Sequence, residues 1–247
     1  MIVRMSAGME ITMKQTDIIN PFQPYMTLEM DGYSQINRTD YGISHFYEFT
    51  IHDEKKHCIK AVPDASIDLL FNIGENKVST YISGTVFGVK KWELGTQDDC
   101  FGVRFQPGQG ILPKDITMEM IVNDDIEIDG DIFGKNLTEK IALAKTMSER
   151  IEIFKKAYED MVLGRNSLSD KEKINEYLVN RIGRTKGMIT MRQLEDETNY
   201  SACYLRRIFK SFHGISPKQF AQYIRFQNLL MQADKEGVRY EQVALDC

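Results

Sequence analysis

The sequence contains few cysteines and none of the paired spacings that bind zinc or build a disulfide framework. Its four cysteines are far apart in a chain of 247 residues, and no two form a C-x-x-C pair. Such usage is typical of reduced thiols in a cytosol. The four are Cys58, Cys100, Cys203 and Cys247.

Long apolar runs are also missing. No stretch of ~18 or more apolar residues occurs, so no transmembrane helix is expected. The N-terminal segment MIVRMSAGMEITMKQTD has no apolar core of signal-peptide length, so secretion is not expected either. Motifs such as G-x-S-x-G, a Walker-type loop and H-E-x-x-H are absent. The sequence therefore predicts a cytoplasmic protein without membrane contact, and nothing in it indicates an enzyme.

One segment of this acidic chain lacks carboxylates. The formal net charge is −5, yet Ser201–Phe226 contains five Lys and Arg and no Asp or Glu. Residues 165–247 hold 14 Lys and Arg against 10 Asp and Glu, whereas residues 1–164 hold 17 against 26. Halves of opposite sign indicate that the C-terminal one meets a polyanion, with random drift of surface charge as the alternative.

Alternating patterns predict β-strands in the first half. His45–Ile51 and Ser66–Gly74 are rich in β-forming residues and are bounded by turn residues. Short strands joined by Gly-containing turns favour an antiparallel barrel or sandwich, cupin-like in type, over βαβ units. In CFGVRFQPGQG three apolar side chains share one strand face before Pro-Gly ends the run; they are Phe101, Val103 and Phe105.

From Leu137 the apolar residues recur at steps of three and four, which predicts one or two helices that end at Gly164. The small, polar segment 165–170 is the best linker candidate because it lies where the charge changes sign. We therefore predict a multi-domain chain: a β-rich sensor or dimerisation domain with C-terminal helices over 1–164, and an all-α domain over 171–247.

Helix-start signals punctuate the all-α domain. Gly183 is the expected end of its first helix. Ser201 can cap the third helix, and Ser216 before Pro217 can cap the fourth. Two capping boxes, in which Ser or Thr is followed three residues later by Glu or Gln, open the first two helices; they are Ser169 with Glu172 and Thr190 with Gln193.

The third helix is amphipathic, with Arg206, Arg207 and Lys210 on its polar face. A short helix, a tight turn and a helix with a basic outer face form the helix-turn-helix arrangement, whose second helix fits a B-DNA major groove. Arg can bond guanine O6 and N7 together or clamp a phosphate, and a carboxylate here would repel the DNA backbone. Ser201 and Ser216 lie at helix N-termini, where free N–H groups favour a phosphate. A solvated basic face without a ligand is the alternative.

The last third of the chain carries several motifs in a fixed order: Ile189-Thr190, then Ser201-x-x-x-Leu205-x-Arg207-x-Phe209-Lys210, then Gly214-x-Ser216-Pro217, then Ile224-Arg225. This order resembles the DNA-binding domain of the bacterial AraC-type (AraC/XylS) transcription regulators. The resemblance implies two helix-turn-helix units bridged by a long helix, which residues 220–233 match. YEQVALDC resembles the start of the second unit, so the expectation is that this unit is incomplete at Cys247.

The resemblance also implies roles for individual side chains. The base-reading positions fall on Cys203, Arg206 and Arg207. Cys203 departs from the family pattern, in which a larger polar or aromatic side chain reaches the base. The positions of phosphate contact fall on Ser201, Lys210, Ser216 and Lys218.

The first half resembles, through PDASIDLLFNIG and GVRFQPGQG, the β-rich sensor domain attached to a subset of these regulators. The resemblance implies a module that senses a small effector or forms a homodimer, and it names no effector. The predicted function is thus a sequence-specific transcription regulator that binds double-stranded DNA. The alternative is a sensor or dimerisation protein that binds DNA weakly or not at all because the second unit is missing.

Three histidines near a glutamate are the candidates for a metal site. His45, His52 and His57 lie near Glu48, but they form no tight H-x-H pair. An offset of seven positions from His45 to His52 places these two on opposite faces of an unbroken strand. No metal and no cofactor is predicted.

Arg104 lies on the strand face opposite Phe101 and its neighbours. We expect it to anchor an anion if that face lines a cavity, and to have no role if the face meets water. Asp64 and Asp68 have no catalytic partner in the sequence, so turn and edge charges are expected there.

Overall fold

The computed structural model describes residues 3–4, 10–11, 21–25, 32–50, 58–75, 77–93, 99–110, 112–164 and 168–236. Within these ranges the strands are β1 (Val3–Arg4), β2 (Glu10–Ile11), β3 (Ser34–Asn37), β4 (Ile43–Thr50), β5 (Cys58–Ala61), β6 (Asp68–Ile73), β7 (Val78–Ser83), β8 (Lys90–Glu93), β9 (Asp99–Phe105) and β10 (Asp125–Ile128). The α-helices are α1 (Met118–Ile121), α2 (Leu137–Leu143), α3 (Met147–Leu163), α4 (Asp170–Arg184), α5 (Met191–Thr198), α6 (Ala202–His213) and α7 (Pro217–Glu236).

Six strands form an antiparallel sheet in the order β10-β7-β6-β9-β4-β3, while β5 pairs with β8 and β1 with β2. Strand β9 is central, and its Val103 lies opposite Phe46 on one side and Leu69 on the other. An antiparallel β region followed by a helical region is the predicted fold class, and it is confirmed. None of the helices in the described ranges is both long and apolar enough to cross a bilayer.

The segment from Leu137, where one or two helices were predicted, forms two helices, α2 and α3. Both pack on one face of the sheet. Thr146 caps α3 by accepting the N–H of Glu149 at 3.2 Å, and Gly164 follows its end as expected. Phe154 of α3 contacts three rings of the sheet core at centroid distances of 5.9 to 6.4 Å. The buried side chains of this core include Phe46, Leu69, Phe71, Phe101, Val103, Phe105, Phe133, Leu137, Ile141, Ile151, Phe154 and Tyr158.

The opposite face of β9 is buried as well, and there our expectation for Arg104 was wrong. Arg104 is 3% exposed, so its guanidinium neither meets water nor is free to hold an anion. Nε and Nη2 of Arg104 donate to Asp68 at 2.9 and 2.5 Å, and Nη1 lies 3.7 Å from Asp64. The hydroxyl of Tyr47 donates to the same Asp68 carboxylate at 3.2 Å. The two aspartates are therefore partners of a buried cation. Asp64 also accepts the N–H of Ser66 at 2.9 Å, as a turn residue does, whereas Asp68 lies on the inner strand β6 and is not an edge charge.

The helical region has its own core, and its local signals are confirmed. Both capping boxes form, and Ser201 and Ser216 accept N–H groups three residues later. The first helix, α4, ends at Arg184 rather than at Gly183. The chain reverses two residues later, where Lys186 and Gly187 have φ of 51° and 76°. The buried residues of this core include Ile174, Leu178, Ile182, Leu194, Leu205, Ile208, Phe209, Ile215, Phe220 and Ile224.

The two predicted domains are in contact. Gln227 of α7 is 0% exposed, and its side chain accepts the N–H of Phe22 at 2.7 Å and donates to the carbonyl of Pro63 at 2.9 Å. Gln23 in turn donates to Asp64 at 2.8 Å. Residues 165–167 of the predicted linker lie outside the described residues, so the domain boundary stays a prediction.

Candidate nucleic-acid interface

Helix α6 presents the basic face that its sequence predicts. Leu205, Ile208 and Phe209 are buried in the helical core. Side chains half a helical turn away from these buried residues lie on the opposite face of the helix and point outward. The exposed residues of this face are Cys203, Arg206, Arg207 and Lys210.

Helix α5 and its turn hold α6 in place. Asn199, in the left-handed region at φ 57°, ends α5, and Ser201 begins the next helix. Glu197 of α5 accepts hydrogen bonds from Tyr177 at 2.7 Å and from Nε of Arg181 at 2.8 Å. These bonds join α5 to α4 and so help to fix the orientation of the two-helix unit.

The N-terminus of α6 is capped by the protein itself. The N–H of Ala202 donates to the Glu195 carboxylate at 2.5 Å, and that of Tyr204 donates to the Ser201 hydroxyl at 3.4 Å. Two of the N–H groups that we expected to be free for a phosphate are therefore occupied. Glu195 is a residue that sequence reasoning missed, because its partner Ala202 belongs to the next helix.

Two tyrosines lie beside the basic face. The rings of Tyr204 and Tyr200 lie at a centroid distance of 5.1 Å and are tilted by 36°, and Cζ of Arg207 lies 5.4 Å from the Tyr204 centroid. A guanidinium at this distance from an aromatic face is attracted by the ring quadrupole. The Tyr204 ring therefore restrains Arg207, whose role as a base reader was inferred from a resemblance alone.

The remaining predicted contacts lie at the start of α7. Lys218 is exposed, whereas Ser216 is half-buried and its hydroxyl donates to Gln219 at 3.0 Å. Two other cations of the region are tied to the protein: Arg225 donates to the carbonyl of Gly187 at 2.5 Å, and Arg181 pairs with Glu197. The DNA-contact roles of Ser201, Cys203, Arg206, Arg207, Lys210, Ser216 and Lys218 stay predictions.

The sheet region contacts the C-terminal end of α6. A Cβ on Gly214, which has φ +67°, would lie 2.5 Å from a methyl of Val122 just after α1. A Cβ on Gly108, after β9, would lie 2.8 Å from Val179 of α4 and 3.4 Å from His213 of α6. The Pro107-Gly108 turn that ends a predicted strand thus also packs against both helices.

Two histidines are buried as neutral rings. His213 contacts Asn175 through Nε2 at 2.8 Å, and burial lowers its pKa to about 3. Burial, together with Arg104, lowers the pKa of His45 to about 3 as well. His52 and His57 lie outside the described residues, and no three metal-ligating side chains come together within the described part of the chain.

Because these two histidines are buried as neutral rings, we expect the folded chain to lose stability in acid. Between about pH 6.5 and pH 3 the unfolded chain binds protons that folded His45 and His213 reject, so stability falls as the pH falls through this window. At pH 5 each ring should lower the free energy of unfolding by about 2 kcal/mol relative to its value at pH 7.5. Urea unfolding of wild type and His213→Gln from pH 7.5 to 5 measures this. The variant should lose less stability over that range, and equal losses would contradict the assignment of His213.

The comparisons with known proteins find little sequence similarity. The family model of a domain of unknown function, DUF6597, matches residues 41–127, which cover the sheet from β4 to β10. No curated protein matches the sequence. Among solved structures, ToxT from Vibrio cholerae strain SCE256 with a bound unsaturated fatty acid has a TM-score of 0.41 and 12% identity, over 86% of this chain and 88% of that one. An apo lysine-to-alanine variant of ToxT from the same strain has a TM-score of 0.23 and 12% identity, over 76% of this chain and 99% of that one.

Proposed function

We propose that the chain is a sequence-specific, DNA-binding transcription regulator whose β-rich N-terminal part senses a small effector or forms a dimer. The observation that carries the proposal is the exposed face of α6. Arg206, Arg207 and Lys210 project from it, and Ser201–Ala233 contains no Asp or Glu. A face of this charge on a helix behind a fixed turn fits the major groove of B-DNA.

The proposed DNA contacts are of two kinds: contacts that read bases and contacts with phosphates that position the protein. Arg206 and Arg207 lie in the N-terminal half of α6, the part of a recognition helix that contacts base edges, and an Arg fork can bond both acceptors of guanine. Lys210, near the end of α6, and Lys218, on the first turn of α7, are suited to phosphates as point charges. Phosphate contacts fix the register without selecting sequence, so both kinds of contact are required.

Selection from a random duplex library, followed by fluorescence anisotropy with the selected and a scrambled duplex, tests the proposal. The expected result is a selected motif bound at least about 1,000-fold more tightly than scrambled DNA. No enrichment and no salt-dependent binding would reject DNA recognition. The chain would then be the sensor or dimerisation protein that the sequence leaves as the alternative.

Arg207 and Lys218 provide a matched pair of substitutions. Arg207→Ala should weaken binding to the selected duplex by about 1–3 kcal/mol and relax the preference at one base pair, because a base contact is lost. Lys218→Ala should weaken selected and scrambled duplexes alike and lower the salt slope by about 1, because a phosphate contact is lost. If both variants weaken all duplexes equally, Arg207 is not a base reader.

A further inference from the structure

The exposed face of α6 places its two arginines on opposite sides of a central row. Cys203 and Lys210 are two helical turns apart and lie along the middle of the face. Because successive residues of a helix differ by about 100° around its axis, Arg206 and Arg207 project to the two sides of this row. In a groove that α6 enters, the two guanidinium groups therefore reach different base pairs.

An aromatic ring lies on the Arg207 side of this row. Tyr204 precedes Arg207 by three positions, so the two side chains are neighbours on the helix surface. The distance of 5.4 Å from Cζ of Arg207 to the centre of the Tyr204 ring is within the range of a cation–π contact. Arg206 makes no hydrogen bond, ion pair or ring contact with any residue of the described ranges. Of the two arginines, Arg207 is thus the one whose side chain is restrained.

The Tyr204 ring is itself held by the protein. Tyr204 is half-buried and packs against the core of the helical region. Tyr200, which precedes the helix, places its ring 5.1 Å from the Tyr204 ring, at the separation of interacting aromatic pairs. A ring fixed by the core on one side and by the turn on the other gives Arg207 a stationary partner before any DNA is bound.

We propose that Tyr204 is a specificity-determining positioning residue, which holds the guanidinium of Arg207 toward one base pair of the DNA site. A long side chain loses rotamer freedom when it binds, and a contact made before binding reduces that loss. Since the Arg fork must face guanine O6 and N7 together, the restraint favours the matching base pair over the others. The inference rests on the proposed DNA binding and deepens it by naming a residue that sets the base preference of the same site.

Tyr204→Leu, assayed by fluorescence anisotropy with the selected duplex, the scrambled duplex and single-base-pair variants of the selected one, tests this. Leucine keeps apolar contact with the helical core but has no ring. Binding to the selected duplex should weaken about 5-fold, which is the scale of one cation–π contact, and binding to scrambled DNA by less than about 2-fold. The preference should relax at the base pair that Arg207→Ala relaxes, and not at the one that Arg206→Ala relaxes.

Two further variants separate positioning from a merely structural role. Tyr204→Phe keeps the ring and should restore the base preference. Tyr223 of α7 is also half-buried against the same core, and no cation of the described ranges lies over its ring. Tyr223→Leu is therefore the matched control and should leave the base preference unchanged.

The double variant tests whether Tyr204 acts through Arg207. Adding Tyr204→Leu to Arg207→Ala should cause no further loss of preference, because a residue that only positions Arg207 has no effect once that side chain is removed. A nuclear magnetic resonance spectrum of the DNA-free chain tests the contact itself. The δ-methylene protons of Arg207 should be shifted upfield by the Tyr204 ring and should lose this shift in Tyr204→Leu.

The proposal is overturned if Tyr204→Leu weakens selected and scrambled duplexes equally, if its effect adds to that of Arg207→Ala, if Tyr204→Phe behaves like Tyr204→Leu, or if the Arg207 resonances do not respond to Tyr204→Leu. A chain that selects a duplex but gives any of these results keeps the proposed DNA-binding function and loses this role for Tyr204. A chain that selects no duplex loses both.

Discussion

Replacing Arg104 with Gln is expected to lower the free energy of unfolding by about 3–5 kcal/mol, because removing one member of a buried ion pair leaves the other uncompensated. The guanidinium bonds Asp68 at 2.5 and 2.9 Å and lies 3.7 Å from Asp64, which is itself 4% exposed. Burial alone would lower the pKa of Arg104, but the two carboxylates raise it above its usual value, so it stays charged. The substitution would leave two negative charges beneath the sheet.

Urea unfolding at pH 7.5 measures the effect, and Lys77→Gln is the matched control. Lys77 and Glu127 form an ion pair of similar length, 2.7 Å, but their side chains are 70% and 49% exposed. Exposed pairs of this kind contribute at most about 1 kcal/mol because water screens them. Comparable losses in the two variants would show that the Arg104 charge is not the buried, structural cation that its contacts indicate.

Features that depend on residues close together in the sequence were predicted well. The capping boxes form at Ser169 and Thr190, where the backbone N–H donates to the side chain three residues later at 2.8 and 2.9 Å. The basic face of α6 follows equally from helical period. In each case both partners lie within two turns of one helix, so the pattern of residue types contains the whole interaction.

Contacts between distant segments could not be predicted in this way. Gln23 bonds Asp64 across 41 residues, and Gln227 bonds the Pro63 carbonyl across 164. Glutamine has no pattern that distinguishes a solvated side chain from one that joins two regions. Arg104 was misjudged for the same reason, since its partners lie on and before a neighbouring strand that pairs with β9 only in the folded chain.

A cavity between the sheet region and the helical region shows the same limit. In the sequence, Glu172 and Glu176 are two acids one helical turn apart, which is typical of a solvated helix face. Only the docking of the sheet against α4 turns Glu176 toward a cavity. The turn at Gly108 was predicted as the end of a strand, but its contact with Val179 depends on the same docking.

Gly187→Ala should destabilise the helical region by roughly 2–5 kcal/mol, since backbone strain and a steric clash add at one position. Gly187 has φ +76°, and a Cβ there would lie 2.2 Å from the carbonyl oxygen of Ala221 in α7. That oxygen belongs to a helix and cannot retreat as the tip of a side chain could. The carbonyl of Gly187 also accepts the bond from Arg225, so a shift of the turn breaks that contact too.

Gly88→Ala is the control, because a Cβ on Gly88 would meet no heavy atom within 4 Å. Its effect on urea unfolding should stay within about 0.5 kcal/mol. Since the turn at Gly187 sets the start of α5 and thereby the position of α6, Gly187→Ala should also weaken binding to the selected duplex, while Gly88→Ala should not. If Gly187→Ala unfolds like wild type, the turn can rearrange without cost, and α6 is not held in the fixed orientation that groove recognition requires.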